Sequence, residues 1–370
     1  MVNNRYEYLN FPLVSVIIPI YNANQYIHKC IESVLNQTLQ NFEIICINDE
    51  STDGSYEIVK EYEKKESRIK VISQKKRNAG VARNVGITQA KGKYIYFLDS
   101  DDYIDCNLLS ICVDKMEETG AELCVFKART YSEITRKENI APYSLVLENC
   151  PSKTYFSPVE MKNKIFNSFQ NWPWNKFFRR EFIINNSLKF QDIDRTNDLV
   201  FTNLALAVSN KILIINKELI WYRVDNQSSL QGSYDKNPIC FIEAYKLLKK
   251  SLEEQGLYEL YEISFLNDLL ESIYHHMHKM KSEHSFQYLF NIVKYGAEID
   301  FNISKHPRNL YEQNYYEYYK LIVDSENVSL LDNEYAEELN RIKNSVSYRI
   351  GRRITFFPRV IRRYISNVSK

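Results

Sequence analysis

Four short runs of β-branched and aromatic residues, VSVIIPIY (14–21), EIICIN (43–48), IKVIS (69–73) and YIYFLD (94–99), alternate with stretches of helical apolar spacing. The first run is apolar almost without a break, as a strand buried on both faces must be. After it, Asn24 reads as a helix N-cap, and Tyr26, Ile27, Cys30, Ile31, Val34 and Leu35 recur at helical spacing up to Asn36 and Gln37. A second helical segment opens with capping residues from Ser51 and carries Ile58, Val59 and Tyr62, and a third runs from Ala79 to Ala90. Strands alternating with helices at this spacing demand right-handed crossovers and a parallel sheet, with ligands at the carboxyl ends of the strands. The first 110 or so residues therefore predict an α/β nucleotide-type fold.

A helix near 105–119 and a strand at ELCVF (122–126) follow, after which the rhythm is irregular to about 230, with an aromatic cluster NWPWNKFF at 171–178. Residues 240–340 are helix-like and rich in tyrosine, and Phe241, Tyr245 and Leu248 form a face expected to pack on the preceding domain. The predicted organisation is a domain at 1–230, divided into halves 12–105 and 106–230, a helical region at 231–340 and a tail at 341–370. A chain of 370 residues with 44% hydrophobic side chains has ample material for such cores, which excludes a disordered or collagen-like protein. No apolar run approaches the roughly 18 residues of a bilayer span, and the start MVNNRYEYLN lacks a signal pattern. The seven cysteines are scattered without a CxxC pair, as reduced and mostly buried thiols would be, so a cytoplasmic location is expected.

The chemistry-bearing residues gather at strand ends. Asp99, Ser100, Asp101 and Asp102 put three carboxylates in four residues after the fourth strand. Burying them requires a cation or hydrogen-bond donors, and oxygen ligands of this kind suit Mg²⁺ or Mn²⁺ held together with substrate phosphates. An acidic turn that caps a helix explains the same residues. Asp49 ends the second strand in INDESTDG, and Pro19, Ile20, Tyr21 and Asn22 end the first. In a parallel sheet the three ends share one edge, so a ring, a carboxylate and a metal-ready cluster converge on one crevice suited to a nucleoside diphosphate. Packing for Tyr21 and turn capping for Asp49 are the plainer alternatives. There is no GxGxxG, P-loop, HExxH or GxSxG motif. His275, His276 and His278 lie together with Glu271, an arrangement that fits helix packing or a solvated face better than a metal site.

The stretch VSVIIPIYNANQYIHKCIESVLNQTLQNFEIICINDESTDGSYEIV, followed by NAGVARNVGITQAKGKYIYFLDSDD, closely resembles family 2 glycosyltransferases with a GT-A fold. The resemblance continues more weakly through WNKFFRREFI (174–183), NDLVFTNLAL (197–206) and WYRVDNQSSL (221–230). It implies a GT-A nucleotide-sugar-binding α/β fold, Rossmann-like and mostly parallel, carrying a C-terminal helical region. It further implies a metal-dependent, inverting transfer of a sugar from a UDP-sugar to a hydroxyl of a glycan or lipid-linked acceptor, in cell-surface polysaccharide synthesis. Carried over by motif, Asp49 meets the uracil N3, Tyr21 lines the base, Pro19 is a further donor-binding residue, Asp101 binds the Mn²⁺ or Mg²⁺ of the DxD motif, and Asp99 lies near ribose or metal. Arg83 falls near the donor phosphates or sugar, and Asp198 falls on the catalytic base. The family's Glu-Asp pair is Asn197-Asp198 here, which alters acceptor binding or base tuning. Asn175, Lys176 and Arg223 match recurrent positions, as acceptor or support residues.

The formal charge of +1 conceals a division. Residues 341–370 carry nine basic side chains and no acidic one, leaving 39 basic against 47 acidic residues on 1–340. Ile350, Ile354, Phe357, Ile361, Tyr364, Ile365 and Val368 fall close to one helical face, with Pro358 dividing it. A basic amphipathic segment of this kind suits the inner, anionic face of a membrane, with docking on the acidic body as the competing role; nucleic-acid binding is not expected. Two other classes remain to be weighed. One is a catalytically weak nucleotide-sugar-binding module, and the other is a sugar nucleotidyltransferase, which the lack of a glycine-rich basic loop in VSVIIPIYNANQ disfavours.

Overall fold

The structure, a computed structural model, describes residues 11–224 and 234–325. The tail at 341–370, the end of the helical region at 326–340 and the boundary near 230 lie outside the described residues. The N-terminal part runs β1 (Val14–Ile20), α1 (Ile27–Leu35), β2 (Phe42–Asn48), α2 (Ser55–Lys65), β3 (Ile69–Ser73), α3 (Ala79–Gln89) and β4 (Tyr94–Phe97). Next come β5 (Tyr103–Ile104), α4 (Leu108–Thr119), β6 (Leu123–Ser132), β7 (Glu138–Ala141), β8 (Tyr155–Phe156), β9 (Lys176–Arg179), α5 (Arg180–Asn185), α6 (Leu199–Val208) and β10 (Ile212–Val224). The helical part comprises α7 (Cys240–Glu254), α8 (Tyr258–Lys279), α9 (Glu283–Ile292), a π-helical turn at Val293–Ala297, α10 (Glu298–Phe301) and α11 (Gln313–Asp324).

All ten strands form one sheet in the order β3-β2-β1-β4-β9-β6-β10-β5, with β7 added to β6 and β8 to β10. Pairing is parallel through β3-β2-β1-β4 and again between β6 and β10. Between these blocks β9 is antiparallel to both β4 and β6, so the sheet is mixed where the second half joins the first. Its alternating side chains explain the unbroken apolar runs. Ile17, Ile45, Ile47, Ile95 and Phe97 face one core, while Val16, Ile18, Ile44, Cys46, Tyr94 and Tyr96 face the other. The second core is closed by α1, α2 and α4. The first holds α3, α5 and α6 and continues without a break into α7, α8 and α9, where Phe241, Tyr245 and Leu248 are fully buried.

Two local expectations change. Helix α1 begins at Ile27 with no side-chain cap, because Asn24 is engaged elsewhere: its N–H donates to Asp53 Oδ2 at 3.0 Å and its amide donates to Asp53 O at 2.7 Å. Helix α2 begins at Ser55 rather than at Ser51, after Gly54 at φ +91°, and Asp53 Oδ1 accepts the Ser55 N–H at 3.0 Å. His276 is a packing residue, stacked at 3.9 Å on Phe241, and burial pushes its imidazole down to about 3. The seven cysteines are all free thiols, five of them buried. Among the described residues no helix is long and apolar enough to cross a membrane.

Helix α3 lies unusually close to β1. A Cβ on Gly86 would stand 2.3 Å from Ile17 Cγ2, deep in the core where Ile17 has no room to retreat. Gly86→Ala is expected to destabilise the protein by about 1–3 kcal/mol through overpacking, read as a lower urea midpoint at unchanged slope; an unchanged midpoint would show that this contact tolerates a methyl group.

Candidate active site

The carboxyl ends of β1, β2 and β4 are neighbours, and the segments leaving them form one edge of the molecule. Asp49 follows β2. Its N–H donates to Ile20 O at 2.8 Å, and its nearly buried carboxylate accepts two bonds at Oδ1, from Gln74 Nε2 at 2.7 Å and Arg77 N at 3.0 Å. Gln74 Oε1 beside it is buried without a partner, so this corner retains an unused acceptor. Tyr21 follows β1 and is 44% exposed; the Lys76 ammonium lies 4.0 Å above its ring and donates to its hydroxyl at 2.5 Å. Pro19 is buried within β1, opposite Ile47 of β2 and past the last residue paired with β4. Its missing N–H therefore costs no ladder bond on the β4 side. It is the one donor-binding candidate inside a strand.

Arg83, on α3, ties the two halves together. Its guanidinium is 5% exposed and donates to Asp99 Oδ1 at 2.5 Å and to Asn197 Oδ1 at 3.3 Å, while Nε has no partner. Helix α3 can approach this closely because Gly80 abuts the 191–197 segment: a Cβ there would lie 2.6 Å from Gln191 O and 3.0 Å from Asn197 Cβ. The next residue, Asp198, stands at the N-cap position of α6. Helix α6 is anchored beneath it by Phe201, stacked at 4.0 Å on Phe190 and edge-on at 5.5 Å to Phe97 of β4. Burial pushes the Asp198 carboxyl up to about 6; Arg83 pulls the other way, Asp99 adds to the rise and Lys176 opposes it.

The acidic turn after β4 divides into three environments. Asp99 is paired with Arg83, as above. Asp102 is almost wholly buried, with Oδ1 accepting the Arg223 N–H at 2.8 Å and Oδ2 left without a partner. Burial first, then the neighbouring Asp101 and Asp99 charges, hold it well above the usual carboxylate range. Asp102 is accordingly a brace between this turn and the end of β10. Arg223 completes the brace, with Nε donating to Asp101 O at 2.7 Å, an ion pair to Glu133 and its guanidinium 4.6 Å from the Tyr26 ring centroid. Asp101 itself is half-buried. No three His, Cys, Asp or Glu side chains converge into a metal cage among the described residues. The donor type, one or two carboxylates from Asp101 and Asp99, is that which a hard divalent cation takes when phosphates and water complete its shell.

Asn175 and Lys176 are fully buried beneath the aromatic cluster, away from solvent. Asn175 Nδ2 donates to Ser144 O at 2.9 Å, and Lys176 Nζ donates to Asn175 Oδ1 at 3.0 Å, to Trp172 O at 2.9 Å and to Gln170 O. They shape the turn that carries Trp172 and Trp174, whose rings stack at 4.5 Å. Three residues that flank the crevice escaped the reading of the sequence: Gln74, Lys76 and Arg77, the last ion-paired to Asp192, which also accepts from Asn78 Nδ2 at 2.8 Å. Their signal was the polar run QKKRN directly after the third strand.

An α/β sheet with a carboxylate at the end of β2, a DxD turn at the end of β4 and an acid at the start of a following helix is the arrangement of a GT-A glycosyltransferase. The family model described as Glycosyl transferase family 2 matches residues 15–185. Glycosyltransferase GlyG of Streptococcus pneumoniae serotype 4 (strain ATCC BAA-334 / TIGR4) is 30% identical over 228 residues, covering 60% of this chain and 74% of that protein. Uncharacterized glycosyltransferase EpsJ of Bacillus subtilis (strain 168) is 32% identical over 222 residues, 59% of this chain and 63% of EpsJ. Among solved structures, residues 1–349 of S. aureus TarS in complex with UDP-GlcNAc superpose with a TM-score of 0.65 at 20% identity, over 84% of this chain and 86% of that one. That last likeness is one of fold. The chain belongs to glycosyltransferase family 2.

Proposed function

We propose that the protein transfers a sugar from a UDP-sugar to a hydroxyl of a glycan or lipid-linked saccharide, with inversion, in the assembly of a cell-surface polysaccharide. The observation that supports this reading is the Arg83 bridge, which ties the DxD acid Asp99 to Asn197, the residue before Asp198. The UDP-GlcNAc complex of TarS supports the choice of donor through likeness of fold. Asp49 accepts the uracil N–H, with its Oδ1 already oriented by Gln74 and Arg77, and Tyr21 and Pro19 border the base. Arg83 lies near the donor phosphates or sugar. Asp101, with Asp99 nearby in the turn, would hold Mn²⁺ or Mg²⁺, which when bound would supply Lewis-acid stabilisation to the departing diphosphate. Asp198 takes the proton of the acceptor hydroxyl as that oxygen attacks the anomeric carbon, forming the new C–O bond as the bond to UDP breaks. Asn175, Lys176, Asn197 and Arg223 support these groups from behind.

The domain limits belong to the same proposal: a donor half at 12–105, an acceptor half at 106–230, a helical region at 231–340 and a basic tail at 341–370. We place the enzyme in the cytoplasm, peripheral on the anionic inner face of the plasma membrane through that tail.

Asp198→Asn is expected to lose about a hundred- to ten-thousandfold in turnover while keeping UDP affinity by calorimetry. In the wild-type enzyme only the carboxylate serves as base, so turnover should fall as pH drops below about 6 and level off above it; normal turnover by the variant would remove Asp198 from the chemistry. Asp101→Ala should abolish the gain in UDP affinity that Mn²⁺ confers, and an undiminished gain would count against the metal role. Vesicles containing anionic lipid should float the full chain but not a chain ending at residue 340; equal flotation would refute the membrane role of the tail.

A further inference from the structure

Helix α9, the π-helical turn and α10 make one rod from Glu283 to Phe301, helical in backbone where the three segments meet. Its inner face is ordinary core: Leu289, Phe290, Val293, Ala297 and Phe301 are buried. The outer face departs from an ordinary surface. Exposed positions recur three or four residues apart at His284, Tyr288, Asn291, Tyr295 and Ile299, and the three large apolar groups among them, Tyr288, Tyr295 and Ile299, are 44%, 64% and 83% exposed. Ile299 is the most exposed large apolar side chain among the described residues. A helix on a solvated surface turns charge outward, so large apolar groups in a row mark a contact.

The described chain ends beside this rod. Its last residue, Ser325, follows α11, and the Ser325 carbonyl accepts from Lys294 Nζ, which lies 5.5 Å from the Tyr295 ring centroid. Residues 326–370 continue from that point, and two properties of their sequence match the stripe. Ile350, Ile354, Phe357, Ile361, Ile365 and Val368 recur at helical spacing, so they offer an apolar face. Residues 341–370 also carry nine basic side chains and no acidic one, whereas residues 240–325 carry thirteen acidic against nine basic. Glu298, next to Ile299, accepts only from neutral groups among the described residues: Ser304 N at 3.0 Å, Ser304 Oγ at 3.2 Å and Tyr319 OH at 3.0 Å. Its charge is therefore open to a guanidinium. Reach is ample, because about 25 residues span up to ~80 Å, several times the ~16 Å from Tyr288 to Ile299. Attachment at Ser325 also gives the segment a higher local concentration than a free second copy would have.

We propose that the stripe of Tyr288, Tyr295 and Ile299 is the docking face for the chain's own basic apolar segment, residues 350–368, with Glu298 pairing with an arginine of that segment. The inference rests on neither the donor site nor the chemistry assigned to it, and where lipid binds the tail it does so by displacing the segment from this face. The test uses the full chain in lipid-free buffer, with p-benzoylphenylalanine in place of Ile299. Irradiation should join position 299 to peptides from 350–368 of the same chain, identified by mass spectrometry in material of single-chain mass. Cross-links confined to a second copy, cross-links only elsewhere in the chain, or none at all overturn the proposal. A second measurement needs no cross-linker. The surface pair Tyr295→Asp and Ile299→Asp should leave the urea midpoint of the protein in place and speed tryptic cleavage after the arginines of 349–363 by about tenfold or more, because cleavage follows the undocked population. Equal cleavage rates in the variant and the wild type would equally overturn it.

Discussion

The architecture of the crevice turns on one buried guanidinium. Arg83 comes from α3, in the parallel half of the sheet, and is spent on Asp99 after β4 and on Asn197 before α6. Because arginine cannot shed its proton, burying it at 5% exposure obliges the fold to keep an acid and a further acceptor at fixed distance. The two acceptors lie 98 residues apart in the chain, one in each half of the catalytic fold. The close approach of α3 to β1 at Gly86, and of α3 to the 191–197 segment at Gly80, are the steric conditions for that bridge. Asn197 suits it: a neutral amide satisfies one arm of Arg83 and leaves Asp99 as the carboxylate paired with it, so the site holds one fewer negative charge next to Asp198.

Charge is distributed behind the crevice with the same economy. Asp102 is driven toward its neutral form and locks Arg223 and the end of β10 to the DxD turn, while Asp99 is neutralised by Arg83. Asp101 is half-buried, and burial raises the Asp198 carboxyl, at the start of α6, to about 6. One short turn thus holds a buried acid that braces β10 and an acid paired with Arg83 because their surroundings differ.

Strands β1, β2 and β4 were legible in the sequence nearly to the residue because they are buried on both faces and so read as apolar runs; β3, an edge strand with Lys70 and Ser73 exposed, coincides with IKVIS without adjustment. The strand-end acids were legible for a related reason, since a parallel sheet must bring its carboxyl ends to one edge. Strand β9 was not. Its residues KFFR belong to an aromatic cluster with no period of its own, and only pairing with β4 and β6, 51 to 85 residues away, makes it a strand. Asn24 looked like a cap because local sequence favoured it, and a contact with Asp53 claimed its side chain instead. Arg83 and Asp198 entered by resemblance alone, because nothing in their spacing says that α3 and α6 meet. The burial of Lys176 and Asp102 depends on turns that no local pattern encodes.

The central claim is that the ends of β1, β2 and β4 and the start of α6 form a single donor and acceptor crevice. A crystal structure of the protein grown with UDP and Mn²⁺ tests it most directly, with the ion located by its anomalous scattering. The account predicts uracil against Asp49 and Tyr21, the diphosphate near Arg83, and the ion between Asp101 and the phosphates, with Asp198 facing the open end. UDP seated anywhere else, or an ion remote from Asp101, would contradict it.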